Sequence, residues 1–253
     1  MRLDVTPLAD VARRSGTVRR AARRLSPEFR DTQAVRKWIA RRHLSGDGVE
    51  IGALHLPLPV PRNARVRYVD RYDRDGLRRA YPELRGFPLV EVDVVDDGER
   101  LERLDDASVD FVVANHFLEH TEDPIGTLAN HRRVLRPGGR LMYAVPDKRH
   151  TFDAARPVTP LDHFVRDHAE GPDRSRAEHY REWAELVKRV PADRVESEAA
   201  RFEAASVSIH FHVWTPSAFA EFVVGARRAA GLELELEALH SVQREFVVVL
   251  RRP

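Results

Sequence analysis

The sequence has no cysteine and no long hydrophobic run. Without Cys among its 253 residues, disulfides and thiolate zinc sites are excluded, and any metal ion would need His and carboxylate ligands. No apolar run approaches the roughly 20 residues that span a bilayer, and the amino terminus lacks the apolar core of a secretory signal peptide. We therefore expect a cytoplasmic protein that makes no contact with a membrane.

Lysine is also scarce. Only 3 of the 42 basic residues are Lys, and such a bias towards Arg is typical of a GC-rich bacterial genome. Residues 1–46 contain 12 Lys+Arg against 4 Asp+Glu, as a basic arm that binds nucleic acid would. Few aromatic side chains are interleaved with these charges, although stacking on such side chains is how single-stranded bases are held. We therefore expect no nucleic-acid partner.

Residues 109–146 contain the clearest structural pattern in the chain. Residues 111–114 form a short apolar run, as in a parallel strand that is covered on both faces. Helical spacing of apolar residues follows over 124–135, before a second strand. The polar residues Asn115 and His116 stand at the carboxyl end of the first strand, where α/β sheets bind their ligands.

Three further strands are predicted upstream, at residues 49–54, 66–69 and 89–94. The second of them ends in Asp70, twenty residues after Glu50. An acidic residue at this spacing is placed to accept the two ribose hydroxyls of an adenosine ligand.

The third of these strands ends in acidic residues. Asp93 and Val94 could read an adenine, because a carboxylate accepts from the exocyclic amine and a backbone amide donates to a ring nitrogen. A plain acidic turn is the alternative interpretation.

The last third of the chain interrupts and then resumes the strand and helix alternation. Residues 147–205 are rich in charge, His and Pro and contain a helical pattern at 178–190. Residues 207–215 alternate as an extended segment would, with His210 and His212 on one face. A helix beginning at Thr215-Pro216 and two closing strands, at 232–239 and 245–250, complete the pattern.

The chain is therefore predicted to be an α/β protein. We expect a mostly parallel sheet of seven strands with helices on both faces, formed by residues 47–253. Amphipathic helices in residues 1–46 would form an amino-terminal cap, and residues 147–205 would be an insertion or lid after the fifth strand.

Three short segments resemble one enzyme family. Phe117-Leu118-Glu119-His120, Glu122-Asp123-Pro124 and Val134 to Leu141 are similar to class I methyltransferases that use S-adenosylmethionine, specifically the type 11 group. The similarity covers about residues 46–144 and resumes at 212–216, from which it continues to the last predicted strand. It implies a Rossmann-like fold, S-adenosylmethionine as the cofactor, and a set of cofactor-binding residues: Glu50, Gly52, Ala53, Asp70, Arg71, Asp93, Val94, Asn115 and His116.

The glycine-rich cofactor loop of that family is altered here. The family pattern is acidic-x-Gly-x-Gly-x-Gly, whereas this chain has Leu54 and Leu56 at the second and third glycine positions. Glycine lets the backbone come close to a ligand. Either the loop takes another path and still binds the cofactor, which we favour, or the chain keeps the fold as a non-catalytic scaffold.

Methyl transfer to a hydroxyl or ammonium group also needs a proton acceptor, and His is suited to that role near neutral pH. We expect His210 and His212 to act on the acceptor side, with His163 or His168 as an alternative base. His120 would brace the turn after the fourth strand. A site without a metal ion is favoured, and a cluster of His163, His210 and His212 with Asp162 or Asp167 is the alternative. Phe152, Tyr180 and Trp214 would form pocket walls.

The expected function is S-adenosylmethionine-dependent methyl transfer to oxygen or nitrogen of a small molecule, for instance a natural-product sugar or aminosugar. A non-catalytic scaffold and a methyltransferase acting on RNA or another macromolecule are the alternatives. The sequence leaves open whether the chain forms a homodimer.

Overall fold

The computed structural model describes residues 32–253, so the predicted cap lies outside the described residues except for 32–46. Seven strands form one sheet. They are β1 (Gly46–Ile51), β2 (Ala64–Asp70), β3 (Val94–Val95), β4 (Val109–Asn115), β5 (Leu135–Pro146), β6 (Glu235–Val242) and β7 (Glu245–Arg251). The helices are α1 (Thr32–His43), α2 (Arg74–Ala80), α3 (Pro124–Val134), α4 (Leu161–Glu170), α5 (Asp173–Glu182), α6 (Val195–Ala204) and α7 (Pro216–Ala230).

The strand order is β3-β2-β1-β4-β5-β7-β6. Strands β1 to β5 pair in parallel, whereas β7 runs antiparallel to β5 and to β6. This confirms the predicted seven-stranded, mostly parallel α/β sheet. The carboxyl ends of β1, β2, β3 and β4 therefore meet at one edge, where ligands bind in such sheets.

The core has two layers, one on each face of the sheet. Alternate residues of one strand point to opposite faces, so Val112 of β4 packs with α3 and α7, and Val113 packs with α1. Ile39 of α1 and Phe222 of α7 are fully enclosed in these two layers. Among residues 32–253, no helix combines the length and apolar character needed to span a bilayer.

Local signals account for the helix boundaries next to the site. Asp123 caps α3 by accepting the amide of Gly126 at 2.8 Å, and Pro124 occupies the first turn, where its missing N–H costs nothing. Thr215 caps α7 in the same way, and Gly231 ends that helix with a left-handed φ of 63°.

The third strand is shorter than predicted. Only Val94–Val95 pairs with β2. Just before it, the carboxylate of Asp93 accepts the amide of Tyr68 at 2.7 Å. A side chain therefore takes a backbone amide that a longer strand would have paired.

The segment at residues 207–213, predicted to be extended, is not a strand of the sheet. Trp214 alone makes a bridge, to Asp147, and the Phe211 amide donates to the Glu119 carbonyl at 2.7 Å. The segment is held between the core and the insertion helices, because Ile209 and Phe211 pack with residues of α5 and α6. Burial on both sides, rather than strand pairing, determines its path. The predicted helix at 178–190 is also revised: α5 begins at Asp173 and continues into a π-helical turn at Trp183–Val187.

Candidate functional site

A cavity of about 960 Å³ opens at the carboxyl ends of β1 to β4. Loops after these strands supply one side of it. The turn after β4 and the segment at 207–213 supply the other. Its lining includes Gly52, Leu54, Asp70, Arg71, Asp96, Asp97, His116, Phe117, His120, Thr121 and Ser208.

The loop after β1 shows how the missing glycines are accommodated. Gly52 has a φ of 66° and open space around its Cα, so a ligand can approach its backbone. Leu54 also has a positive φ, of 49°, and lines the cavity, whereas Leu56 is 57% exposed. Both carboxylate oxygens of Glu50 accept the amide of Leu58 at 3.0 Å. The loop is thus held by Glu50, and the Leu54 side chain lines the cavity at the second glycine position of the family pattern.

Glu50 and Asn115 lie behind this loop. The Asn115 side-chain amide donates to Glu50 at 3.3 Å. Burial raises the pKa of Glu50 to about 7, although the Leu58 amide and Asn115 both favour the ionised form. Neither Glu50 nor Asn115 is among the residues that line the cavity, and the same is true of Ala53. Their contribution is to the shape of the loop.

Four of the predicted cofactor residues do line the cavity. They are Gly52, Asp70, Arg71 and His116. Asp70 accepts the amide of Arg71 at 2.8 Å through Oδ1. Burial raises its pKa, and the Arg71 amide and charge partly offset that effect. The second Asp70 oxygen has no protein donor among these contacts, so the residues present fit a ligand that carries neighbouring hydroxyl groups.

Asp93 and Val94, the residues predicted to contact an adenine, lie just before and within β3. Asp93 is bound to the Tyr68 amide, and neither Asp93 nor Val94 lines the cavity. The chain continues for two more residues before β3 ends, which brings Asp96 and Asp97 to the cavity instead. The Asp96 amide donates to the Asp70 carbonyl at 2.9 Å.

Acidic side chains predominate around the cavity. Burial, together with the charge of Asp97, raises the pKa of Glu99 to about 7. An acidic cavity attracts cations and repels phosphates. The acidic lining residues are Asp70, Asp96, Asp97, Glu99 and Glu102, against the basic Arg71 and Arg103.

His116 connects the cavity to the opposite side of the sheet. Its Nε2 lies 2.9 Å from Glu245, and its Nδ1 lies 3.3 Å from Glu119. Arg36 of α1 donates to both oxygens of Glu245, at 2.7 and 2.5 Å. Burial alone would lower the pKa of His116, but the two carboxylates outweigh it and raise the pKa to about 9. His116 is therefore protonated at neutral pH.

Two imidazoles lie close together on the acceptor side. His120 lines the cavity, and its Nδ1 donates to the Ile209 carbonyl at 2.8 Å. This leaves Nε2 as the unprotonated nitrogen. The ring of His210 stands edge-on to His120, with the centroids 4.8 Å apart. Burial, with the nearby charge of His210, lowers the pKa of His120 despite the opposing effect of Glu119.

His210 is oriented by a buried carboxylate. Its Nδ1 lies 2.7 Å from Asp153, which is fully buried. Arg156 pairs with Asp153 at 3.0 Å and also donates to the carbonyls of His210 and Phe211, at 2.7 and 3.0 Å. Sequence reasoning missed Asp153 and Arg156. The available signal was weak, because these residues lie more than fifty positions from His210.

The other three predicted histidines lie elsewhere. His212 is fully buried and, with His163, packs around His179. His168 pairs with Asp123 at 2.9 Å, at the beginning of α3. Burial and the neighbouring imidazole charges lower the pKa of His212 and bring that of His179 to about 3. None of His163, His168 and His212 is among the residues that line the cavity.

The three predicted pocket walls all lie outside the lining of the cavity. Trp214 is fully buried and stacks on Phe164 at 5.4 Å. Tyr180 is buried among the insertion residues, and its hydroxyl donates to the Val207 carbonyl at 3.0 Å. Phe152 is exposed and lies 4.8 Å from the ring of His210. None of the three lines the cavity, because apolar packing of the insertion takes priority for the two large buried rings.

Part of the chain, which includes the strand ends at the cavity, matches a known protein family. Residues 46–143 match the model of a family described as "Methyltransferase domain". A Streptomyces fradiae protein, described as an uncharacterized 37.1 kDa protein in transposon TN4556, is 35% identical over 102 residues. That alignment covers 40% of this chain, and the chain spans about 28% of the relative's length.

Two solved structures align with most or all of this chain. A SAM-dependent methyltransferase from Aquifex aeolicus aligns over 100% of both chains with 13% identity and a TM-score of 0.49. A Rhodobacter sphaeroides structure described as a Zn-dependent alcohol dehydrogenase aligns over 91% of this chain and 94% of that one, with 13% identity and a TM-score of 0.52. The family match supports the predicted resemblance to methyltransferases over residues 46–143. The Rhodobacter sphaeroides structure, with a TM-score above 0.5, agrees with the predicted α/β fold.

Proposed function

We propose that this chain, whose residues 46–143 are a class I S-adenosylmethionine-dependent methyltransferase domain, methylates oxygen or nitrogen of a small molecule. One observation carries the proposal. A single cavity places the strand-end residues Gly52 and Asp70 on one side, and the His120 imidazole on the other. This is the arrangement needed to hold a methyl donor against an acceptor and to remove a proton.

The cofactor supplies a methyl group on a positively charged sulfur. The Gly52 backbone would contact its amino-acid portion, and the Asp70 carboxylate would accept its ribose hydroxyls. Asp96 or Asp97 would accept from the adenine amine. The excess of acidic side chains around the cavity supports this assignment, since both the sulfonium and the ammonium groups are cations.

His120 is proposed as the base. As the acceptor atom bonds to the methyl carbon and the carbon–sulfur bond breaks, the proton on the acceptor passes to Nε2 of His120. The Nδ1 contact with the Ile209 carbonyl holds the ring in the required tautomer. His210, held by Asp153, stands beside this ring, so the carboxylates of Asp153 and Glu119 stabilise the positive charge that develops.

A small acceptor is proposed because of the size and charge of the cavity. About 960 Å³ is near the upper end of ordinary ligand pockets, enough for a cofactor and a modest acceptor together. The acidic lining opposes a phosphate-rich polymer. A neutral or cationic metabolite, such as a sugar or an aminosugar, fits these surroundings.

Two experiments test the proposal in sequence. Isothermal titration calorimetry of the full chain with S-adenosylhomocysteine should show one site. Incubation with cofactor carrying a labelled methyl group and a bacterial metabolite extract should then label a small molecule. Absence of binding by the folded protein would favour the scaffold alternative. In that case the Leu54 side chain, which lines the cavity where the family has glycine, would be the group that blocks the cofactor. Binding without any labelled small molecule would contradict the proposed acceptor class.

A further inference from the structure

Four potential metal ligands converge below the segment at 207–213. We call His163, Asp167, His179 and His212 the histidine cluster. One ligand atom from each lies within 4.8 Å of every other. The residues come from α4, from α5 and from the segment just before α7. His163 is half-buried, and the other three are buried. The cluster therefore joins three separate parts of the fold at one protected point.

The closest distances match a coordination sphere. His163 Nε2 lies 3.0 Å from His179 Nε2 and 3.0 Å from Asp167 Oδ2. Ligands of a tetrahedral zinc ion, at about 2.0–2.1 Å from the metal, are separated by about 3.3 Å. These atoms thus need only small movements to surround an ion.

The hydrogen bonds from the cluster to surrounding residues also support a metal site. His212 Nε2 lies 3.3 Å from the Glu122 carbonyl, to which it donates. Its other nitrogen, Nδ1, is buried and has no hydrogen-bond partner among the described residues. Ser175 donates to Asp167 Oδ2 at 2.8 Å. Metal-binding His and carboxylate groups characteristically have such outer partners.

We propose that the histidine cluster binds one divalent transition-metal ion, with zinc as the ion that best fits three imidazoles and one carboxylate. Four protein ligands complete a tetrahedral sphere, which is the arrangement of structural sites rather than catalytic ones. None of the four residues lines the large cavity. The ion would instead tie α4 and α5 to the segment that contains Ser208, which lines the cavity, and His210, which packs against His120.

Metal binding can be measured on the purified full chain after treatment with a chelator. Calorimetric titration with Zn²⁺ should show one ion per chain, and Zn²⁺ should raise the melting temperature. Co²⁺ should give the intense visible absorption of tetrahedral coordination. A folded wild-type chain that binds neither ion would overturn the proposal.

His212→Phe separates ligation from packing. A phenyl ring can keep the contacts of His212 with Phe164 and Trp214, at 4.8 and 5.9 Å between centroids. The metal-free variant should melt no lower than the metal-free wild type, because a buried nitrogen without a partner is removed. Its Zn²⁺ affinity should fall by more than about 100-fold, beyond the cost of losing an outer partner. Unchanged affinity would overturn the proposal.

Two further variants complete the test. Ser175→Ala removes only an outer partner and should weaken Zn²⁺ binding by about 10-fold. His168→Ala is the control, because His168 lies in α4 with His163 and Asp167 but pairs with Asp123 outside the cluster. Its Zn²⁺ affinity should match that of the wild type. If His168→Ala lost zinc binding, the ion would lie elsewhere and the assignment would be contradicted. The same conclusion would follow if His120→Ala lost zinc binding while His179→Ala retained it.

Discussion

The two sides of the cavity are built differently. On the proposed cofactor side, Asp70 is the last residue of β2, and Gly52 and Asp96 directly follow β1 and β3, so the sheet itself sets their positions. On the acceptor side, His120 and Ser208 come from a turn and an irregular segment. The residues packed against them are held by side-chain pairs between distant parts of the chain; for example, His210, beside His120, is held by Asp153.

This difference has a physical consequence. Strand ends are supported by backbone hydrogen bonds, so replacing one side chain there removes one contact and leaves the others in place. Arg156 holds Asp153 and two carbonyls of the 207–213 segment at once. On the acceptor side, one substitution therefore affects several groups together.

The largest expected effect tests the acceptor side. His120→Ala should lower the rate of methyl transfer by roughly 10²–10⁴-fold, the usual contribution of a general base. The affinity for S-adenosylhomocysteine should change by less than about threefold, because the cofactor contacts arise at the strand ends. Single-turnover transfer of the labelled methyl group and calorimetry measure the two quantities. A drop in affinity as large as the drop in rate would mean that the two sides are not separate.

Asp70→Ala tests the cofactor side. Two hydrogen bonds to a charged group are lost, each worth about 1.5–3 kcal/mol, so calorimetry should show an affinity loss of about 10²–10⁴-fold. Asp93→Asn is the matched control, because its side chain binds the Tyr68 amide and does not line the cavity. An equal loss in both variants would contradict the register assigned to β3.

The charge of His116, which lines the cavity, can be tested by varying the pH. The pKa of His116 is raised from 6.5 to about 9 in the folded protein, so its stabilising contribution is complete below pH 6.5 and is lost as the pH rises through 9. His116→Asn tolerates the observed φ of 51°. The side chain is 43% exposed and therefore screened by solvent, so we expect a difference in unfolding free energy of about 1 kcal/mol.

Urea unfolding of the wild type and His116→Asn at pH 6 and pH 9.5 measures this contribution. The difference between the two proteins should shrink at the higher pH. A difference that grows with pH would show that His116 is neutral in the folded state.

The smallest effect concerns the altered loop. Leu54 has a left-handed φ of 49°, a conformation that costs an ordinary residue about 1–2 kcal/mol. Leu54→Gly relieves this cost but adds freedom to the unfolded chain, worth about 0.5–1 kcal/mol in the opposite direction. Thermal unfolding should therefore shift by only a few degrees. A loss of stability well beyond this range would show that the Leu54 side chain, rather than Glu50, holds the loop.

Sequence reasoning succeeded where a local pattern controls the structure. The β4–α3–β5 unit, the Thr215 cap and the position of Asp70 all follow from apolar periodicity, capping residues and strand ends. The cavity is lined by Asp96 and Asp97, three and four residues after the predicted Asp93, because the Asp93 side chain replaces part of the backbone pairing of β3. Sequence reasoning failed for His212 because alternation cannot show which face an irregular segment buries.

The sequence by itself determined the α/β sheet, the resemblance of residues 46–143 to a methyltransferase domain and the edge of the sheet at which the cavity forms. Periodic burial and strand-end chemistry are local properties, and a chain pattern records them directly. Only the tertiary structure decided which histidines meet. The ring of His210 meets that of His120, which lines the cavity, while His163, Asp167, His179 and His212 meet away from the cavity lining. These encounters depend on how the insertion packs against the core, a long-range outcome that spacing along the chain does not encode.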